Sequence, residues 1–581
     1  MNRPRANLKH TWFILLFLLV ISMTACTSIN TGSNSFGSTQ KAPDAEQVFT
    51  YPIAGVNDIV SLDPAITPDL PSTQAITALF TGLVQLDDNL NIVPQMASSW
   101  SVSDDRQTWT FHLRPNLKFS DGTPITSHTV AFSIDRALRQ DTASPTAPTY
   151  LGLIKDAMQL YTGKAKTIIG DSLLLPNDQT IVIITSQAAA YFLDALTYPS
   201  SFVVEPSLVQ KYGAKFVDHL SEGGSSGPFK LVSYSHTTGL IFAPNPNYYG
   251  PIPQIQQLKM PFYKDNTTQF KAYQTNQVDE TVIPSNEFSQ AKNNPQEFHS
   301  VPLQLLRYLS MNYLKPPFNN IKIRQAFALA INKQIITHAI FKDKYIPTND
   351  IVPPGTGAYD NSNITGPDGT KNLSGNKTLA RQLLQEGLQE ENISSVSKLP
   401  VINLLYFSQG KDVNDEMDAL AQMWHDVLGI DVKLESVSFA VLLGKLNLTN
   451  NNSPSTIDAQ MWLLGWAADY PDPQDWLTLQ FGPGQQNNSS NYAAKSLAQD
   501  VLSRQQITQR LMVRADAEKN VLTRMSDYAK VEQALINDVA WIPLYQQTGT
   551  YMIKPYVRGF AYNGISQISP NDWGRIYITQ H

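Results

Sequence analysis

The spacing of apolar and polar side chains predicts that short strands alternate with amphipathic helices along most of the chain. Strand character is found in residues 108–113, 229–232 and 541–545. Apolar side chains recur on one helical face in residues 129–138, 322–336 and 415–428. No stretch of 20–50 residues repeats, as it would in a solenoid. The pattern therefore predicts an α/β fold with mixed sheets.

The first apolar segment is of another kind. A basic stretch precedes an apolar run over residues 12–21, and small residues follow it up to Cys26. A helix that crosses a bilayer needs about 20 apolar residues, so this run is too short and is typical of an export signal. Residues 1–25 are predicted to be a signal peptide that is cleaved off.

Cys26 is the only cysteine of the chain. Residues 23–26, Met-Thr-Ala-Cys, resemble the bacterial lipobox, in which the thiol is acylated and anchors the mature protein to a membrane. The alternative is a secreted protein without a lipid. Residues 26–45 are rich in Ser, Thr, Gly and Asn and are predicted to form a flexible tether.

Length and charge limit the classes of function. A chain of 581 residues exceeds what one hydrophobic core usually holds, so two or three lobes are expected. The net charge of −6 and the absence of a basic block argue against binding to nucleic acid. No internal disulfide is possible, so stability must come from burial of apolar side chains.

Local catalytic motifs are missing or occur in the wrong context. Residues 223–227 fit the G-x-S-x-G pattern of serine hydrolases, but Pro228 and an apolar strand pattern follow where that motif needs a helix. The nine histidines are not at metal-ligand spacing, and no phosphate-binding glycine loop is present. The sequence therefore predicts no cofactor, no metal and no enzyme activity.

One acidic residue stands out by its position. Asp469 follows the apolar and aromatic run 461–466, where a strand is expected to leave a core. A carboxylate at such a place is costly unless a positive group meets it. This position predicts that Asp469 binds a cation.

Several motifs together resemble one family, the solute-binding proteins of peptide ABC importers (solute-binding protein family 5, oligopeptide and dipeptide type). In chain order these motifs occupy residues 61–64, 109–114 with 120–124, 245–249, 315–318 with 323–326, and 465–470. They span nearly the whole mature chain.

The resemblance implies a two-lobed fold of the type II periplasmic-binding-protein class with mixed sheets, an additional small subdomain and a hinge between the lobes. Lobe I would consist of residues 46–83, 199–300 and 541–581. The subdomain would comprise residues 84–198, and lobe II residues 301–540.

The resemblance also implies a peptide site. Asp469 would pair with the α-ammonium of the ligand, and Gly465, Ala467 and Leu70 would contribute backbone groups. Three aromatic side chains would line side-chain pockets, although simple core packing explains them equally well: Trp466, Phe439 and Tyr545.

The sequence departs from its relatives at two places near this site. Leu463 stands where many relatives have an arginine, which puts capture of the peptide carboxylate in doubt. Leu305 and Ala467 stand approximately where some relatives have a disulfide.

These features predict an exported, monomeric lipoprotein on the outer face of the cell membrane. It would capture oligopeptides and deliver them to ABC permease subunits with cytoplasmic ATPases. Alternatives on the same fold are binding of a nickel complex, an opine or an oligosaccharide, and a role as a surface sensor.

Overall fold

The computed structural model describes residues 40–67, 69–408, 410–449, 460–485 and 487–581. The predicted signal peptide and Cys26 lie outside these residues. The predicted tether extends too far, because its last residues already belong to the fold. Ala42 is buried, and its backbone N–H donates to the Ile578 carbonyl at 2.9 Å. Composition missed this contact because the partner lies at the other end of the chain.

The strands are numbered in chain order. They are β1 (Val48–Thr50), β2 (Ile53–Ala54), β3 (Val84–Leu86), β4 (Ile92–Pro94), β5 (Ala97–Val102), β6 (Thr108–Leu113), β7 (Leu173–Asn177), β8 (Thr180–Ile184), β9 (Phe229–Ser235), β10 (Gly239–Pro244), β11 (Gln257–Tyr263), β12 (Glu280–Val282), β13 (Phe298–Met311), β14 (Ile346–Pro347), β15 (Ile402–Tyr406), β16 (Val432–Ser436), β17 (Met461–Ala467), β18 (Trp541–Ile553), β19 (Val557–Arg558) and β20 (Tyr577–Ile578).

The α-helices are numbered in the same way. They are α1 (Leu70–Leu79), α2 (Ser127–Leu138), α3 (Ala147–Tyr150), α4 (Ala157–Tyr161), α5 (Phe192–Ala195), α6 (Pro206–Tyr212), α7 (Asn266–Gln274), α8 (Phe288–Ala291), α9 (Ile321–Leu329), α10 (Lys333–Ile335), α11 (Lys377–Glu390), α12 (Lys411–Leu428), α13 (Phe439–Thr449), α14 (Pro473–Trp476), α15 (Thr478–Phe481), α16 (Gln499–Ala517) and α17 (Val521–Asn537). Within the part of the chain that is described, no helix is long and apolar enough to cross a membrane.

Three larger sheets organise the described residues. The first has the order β1-β11-β10-β9, with β2 also paired to β11. The second has the order β5-β6-β8-β7 and is antiparallel throughout. The third has the order β12-β18-β13-β17-β15-β16, with β14 on β18, and mixes parallel with antiparallel pairs. Mixed sheets with helices confirm the α/β prediction.

Each sheet packs its own core. Trp109, Phe111 and Ile183 belong to the core of the second sheet, together with apolar residues of α2. The core of the first sheet includes Phe49 and Trp573, which connects the two ends of the chain. The third sheet is covered on both faces, by separate clusters of buried residues. Burial on this scale is what a chain without disulfides needs.

The two longest strands, β13 and β18, cross from one core to another. Tyr551 and Ile553 at the end of β18 pack in the core of the first sheet, whereas Ile542 and Leu544 near its start pack against the third sheet. The predicted boundary, which placed all residues after 541 in lobe I, therefore differs from the observed packing. The sequence of β18 gave no sign of this crossing, because both ends of the strand are apolar and similarly buried.

Most predicted elements are confirmed, and one is wrong. Strands β6 and β9 and helices α2 and α12 lie where the pattern placed them. The predicted helix over residues 322–336 is interrupted after Leu329, whose carbonyl accepts from the Asn376 N–H at 2.7 Å. Asn332 then starts α10, since its side chain accepts from the Ile335 N–H. The apolar periodicity continues across this break and concealed it.

The G-x-S-x-G segment is followed by a strand, as the sequence predicts. Ser225 is fully buried, and β9 rather than a helix follows it. Gly227 is required for packing, because an added Cβ would lie 2.7 Å from the Leu79 carbonyl carbon and 2.8 Å from the Phe80 nitrogen. Backbone atoms cannot move away as a flexible side chain can.

Replacement of this glycine tests the packing. Gly227→Ala is expected to destabilise the protein by about 1–3 kcal/mol, because the methyl group must displace the end of α1. Differential scanning calorimetry would show a lower Tm. Gly444→Ala on α13 is the matched control, since nothing lies within 4 Å of its added Cβ, and an unchanged or higher Tm is expected there. Equal Tm values for Gly227→Ala and wild type would contradict the packing argument.

Candidate functional site

The main cavity lies beside α1 and the strands β13 and β17 of the third sheet, and it has a volume of about 330 Å³. This volume is within the range of small-molecule sites in proteins. Its wall combines α1, the loop before α6, the middle of β13, the end of β17 and a loop near the carboxyl terminus. The lining residues are Gln95 and residues within 69–86, 197–202, 303–305, 467–469 and 563–570.

Asp469 is held in this wall by the strand that precedes it. β17 pairs antiparallel with β13, so that Ala467 lies opposite Leu305. One residue further on, the Ala468 N–H donates to the Gln304 carbonyl at 2.8 Å. Tyr470 is then buried in the core of the second sheet, with its ring stacked 6.0 Å from that of Tyr191. Asp469 is thus fixed between a strand of the third sheet and the core of the second.

A second carboxyl group lies behind Asp469. Asp475 is fully buried, and one of its oxygens accepts from the Trp466 indole N–H at 2.8 Å and lies 3.4 Å from the Asp469 backbone nitrogen. Burial and the neighbouring Asp469 charge raise the pKa of Asp475 well above its ordinary value. Two coupled acids of this kind do not ionise together. Because Asp475 is the more deeply buried, the charge resides on Asp469, which lines the cavity.

Tyr150, from the unit of the second sheet, is near enough to Asp469 to act on the pKa of that acid as a hydrogen-bond donor. The pKa of Asp469 is raised to about 6 by burial, and this hydrogen bond opposes the rise. Tyr150 in turn stacks on Tyr198, with ring centroids 3.6 Å apart. Tyr198 and Asp469 line the cavity, whereas Tyr150 is buried and is not part of the wall.

The loop after Asp469 is anchored by a buried ion pair. Arg524 contacts both oxygens of Asp472, at 2.6 and 2.7 Å, and both side chains are buried. Asp516 is nearby and accepts from the Tyr528 hydroxyl at 2.6 Å, while burial raises its pKa to about 7. The charge of Arg524 is therefore already compensated by Asp472. Nothing in this arrangement supplies a positive partner to Asp469.

The structure brings together three of the predicted site residues. Leu70, Ala467 and Asp469 all line the cavity, and Leu70 is largely exposed at the start of α1. Gly465 lies two residues earlier on β17, opposite Arg307, outside the cavity wall. β17 pairs with β13 along one edge and with β15 along the other. Pairing with β15 is limited to Met461 and Trp462, so at Gly465 this second edge has no neighbouring strand among the described residues.

The three predicted aromatic residues lie away from this wall. Trp466 donates to Asp475, as described above. Tyr545 is buried, its hydroxyl contacts Glu416 at 3.2 Å, and its ring stacks on Tyr345. Phe439 is exposed on α13 and packs beside Phe407 at 5.6 Å. The structure thus provides a packing or hydrogen-bonding role for each, and ligand contact stays a prediction.

The positions that depart from relatives are well defined. Leu463 is buried and faces Leu309 across β13 and β17. Leu305 and Ala467, the two positions assigned to a disulfide in relatives, are direct cross-strand neighbours and both line the cavity.

Several residues of the site were not predicted. Asp69 lines the cavity and caps α1, where it accepts from the Ser72 N–H at 2.9 Å. The sequence Asp-Leu-Pro-Ser at 69–72 is a helix-start pattern and could have located it. Tyr150, Tyr198 and the loop 563–570 carry no local signal, because only the tertiary fold brings them to Asp469. Across the part of the chain described, no cluster of His, Cys, Asp and Glu could hold a metal.

Comparison with known proteins identifies the family of the chain and proteins with a similar fold. Residues 91–488 match the family described as bacterial extracellular solute-binding proteins, family 5 Middle. The periplasmic oligopeptide-binding protein OppA of Salmonella typhimurium is 29% identical, over 90% of this chain and 92% of that protein. The dipeptide-binding protein DppE of Bacillus subtilis is 26% identical, over 97% and 98%.

Solved structures agree on the fold. The unliganded open form of MppA, a periplasmic murein tripeptide binding protein, superposes with a TM-score of 0.75 at 23% identity, covering 94% of this chain and 99% of that one. The two-lobed, periplasmic-binding-protein-like fold predicted from the motifs is confirmed.

The Tyr150 hydrogen bond can be tested through the pKa of Asp469. Tyr150→Phe removes a donor to the ionised carboxylate, so the pKa is expected to rise above 6, by about 1 pH unit. Carboxyl-detected NMR titration of aspartate-labelled protein would measure the shift. Tyr161→Phe is the control, because that hydroxyl donates to the Ser144 carbonyl elsewhere in the same unit. A Tyr150→Phe titration that overlays the wild type would contradict the assignment.

Proposed function

From the premise that the chain belongs to the bacterial extracellular solute-binding proteins of family 5, we propose that it is an oligopeptide receptor. It captures peptides by their amino terminus between two closing lobes and delivers them to an ABC importer. One observation carries the proposal. Asp469 lines the main cavity as a partly buried carboxylate, and no basic side chain forms an ion pair with it among the described residues.

The chemistry of Asp469 suits an α-ammonium group. Every unmodified peptide has one such cation, so a fixed carboxylate sets the position of the ligand whatever its side chains are. A hydrogen bond to a charged group contributes about 1.5–3 kcal/mol. It also fixes the position of the bound group more precisely than an ion pair between mobile surface side chains does. The rigid attachment of Asp469 to β17 and to the second core keeps the carboxylate in place before the ligand arrives.

The free side of β17 supports peptide binding as an added strand. Beyond Trp462 this side has no strand partner in the described residues, so the backbone groups around Gly465 and Ala467 can pair with an extended ligand. Main-chain hydrogen bonds give affinity that does not depend on side chains. Asp469 lies two residues after the end of β17, so a peptide paired with this strand would place its first residue at Asp469.

Lobe closure is supported by the strand arrangement. β13 and β18 cross between the cores, and their pairing shifts register between Pro302 and Leu306. A local irregularity in two long strands allows bending there while the cores move as units. The residues inside this irregularity, 303–305, line the cavity. Closure would therefore move the wall that contacts the ligand.

We also propose that the protein is a monomeric lipoprotein without catalytic activity, attached outside the cell membrane through Cys26. The described fold begins at residue 40, which leaves about a dozen residues to span from the lipid to the first contacts. Attachment near the membrane would keep the receptor close to permease subunits and their ATPases.

The lipid anchor is tested by changing the acceptor thiol. Cys26→Ser is expected to abolish acylation, so that the protein moves from the membrane fraction to the soluble exported fraction. Detergent phase partitioning and intact mass would measure this change. A substitution that preserves the thiol, Ser28→Ala, is the control. Membrane association of Cys26→Ser equal to that of wild type would contradict the anchor.

The receptor function is tested by calorimetry with short peptides whose amino termini are free or acetylated. Acetylation is expected to lower affinity by about 10- to 100-fold, because it removes the cation that meets Asp469. Asp469→Asn is expected to lower affinity for the free peptides similarly and to remove the discrimination. Asp178→Asn, at an exposed carboxylate, is the control.

The preference for free over acetylated peptides is expected to depend on pH in one direction. The pKa of Asp469 is about 6, so its charge, and with it the preference for free over acetylated peptides, declines as pH falls through 6. Equal affinity for free and acetylated peptides at pH 7.5 would contradict ammonium capture. Binding of neutral oligosaccharides without any binding of peptides would contradict the oligopeptide assignment.

A further inference from the structure

We infer that the cavity accepts the amino-terminal part of a peptide but does not capture its carboxylate. The preferred ligands are therefore peptides long enough to place that carboxylate outside the cavity, or peptides whose carboxyl end is neutral. This inference rests on the proposed function and specifies the ligand class of the same site.

The charge of the cavity wall carries the inference. Among the described residues that line it, Asp69 and Asp469 are the only charged side chains, and none is lysine, arginine or histidine. The remaining wall consists of aliphatic, hydroxyl and amide side chains and glycine and proline, plus the rings of Tyr198 and Phe202. A carboxylate placed here would meet two like charges and no opposite one.

The two acids act in the same direction. The Asp69 carboxylate accepts from the Ser72 N–H and from the Ser72 hydroxyl at 2.9 and 3.0 Å, so both of its oxygens are held at the start of α1. Asp469 carries the charge of its coupled pair, as derived above. Like charges in a partly desolvated space repel more strongly than in water.

No cation from the neighbouring strands compensates this charge within the wall. Leu463 is an aliphatic residue buried against the core of the third sheet. Arg307, two residues beyond Leu305 on β13, is not part of the wall and approaches the buried Glu416 carboxylate, with 4.0 Å between Nε and Oε2. Arg307 is the arginine of β13 that could still bind a peptide carboxylate, so the experiment must include it.

Peptide length then decides where the carboxylate lies. An extended residue spans about 3.3–3.6 Å, so the carboxylate of a dipeptide held at Asp469 stays close to that acid and inside the cation-free wall. Leaving a carboxylate there without a partner is unfavourable. In a longer peptide the carboxylate lies beyond the cavity, where water solvates it.

The test is calorimetry on matched pairs of peptides with free amino termini, as carboxylic acids and as carboxyl-terminal amides, with two, three and six residues. The dipeptide amide is expected to bind about tenfold or more tightly than the dipeptide acid. This ratio should decrease with length and approach one at six residues. Tighter binding of the acid than of the amide at two or three residues would overturn the inference.

A cation introduced into the wall provides the matched variant. Gln567 lines the cavity and is partly exposed. Gln567→Lys is expected to reverse the dipeptide preference in favour of the acid, whereas Gln567→Met should leave the preference of wild type. Retention of the amide preference in a folded Gln567→Lys protein would count against the electrostatic explanation.

Arg307 is tested in the same assay. Arg307→Gln is expected to leave the ratio of acid to amide affinity unchanged at every length. A selective loss of affinity for the acids would place the carboxylate at Arg307 and overturn the inference. Failure of the proposed function is distinguishable, because it would appear as no peptide binding or as equal binding of free and amino-acetylated peptides.

Discussion

The antiparallel pairing of β13 and β18 is the constraint on which the rest of the structure depends. These strands have 14 and 13 residues, and the end of β18 connects the third sheet to the core of the first. β17 is aligned on β13, so the position of Asp469 follows from the same register. The irregular stretch of β13 supplies part of the cavity wall. Fold, hinge and site therefore depend on the pairing of β13 with its two neighbours, and a register error of one residue would turn every one of these side chains to the other face.

A second constraint is the distribution of charge around that pairing. Asp475 and Asp469 share a region that cannot hold two negative charges, and burial assigns the charge to the residue at the cavity. Arg524 neutralises Asp472 instead of Asp469, which leaves the acid at the cavity available to a cation from outside. In the unliganded protein the negative charge of Asp469 therefore has no cationic partner. A ligand cation that pairs with Asp469 can contribute binding energy without any new contact within the protein.

Much of this could be predicted from the sequence, and the remainder could not for definite reasons. β17 and its terminal Asp469 were found because an apolar run followed by an acid is a local pattern, and ordered motifs revealed the fold. Tyr150 was missed because a tyrosine in a short helix has no feature that reports a partner more than 300 residues away. The break after Leu329 was missed because apolar periodicity continued through it. The last residues of the tether were misassigned because their partner strand is at the carboxyl terminus.

The register of β13 and β17 explains together the three positions at which the site differs from its relatives. Leu305 and Ala467 are cross-strand neighbours in the cavity wall, and Leu463 lies four residues earlier on the same strand as Ala467. At all three positions an aliphatic side chain stands where the resemblance implies a cysteine or a cation. A disulfide between neighbouring strands would restrain their separation, and an arginine would fix one end of the ligand. Without either, the wall relies on backbone pairing and on Asp469. The amino end of the peptide should therefore provide most of the affinity, and the carboxyl end should matter where a short peptide leaves its carboxylate inside the cavity.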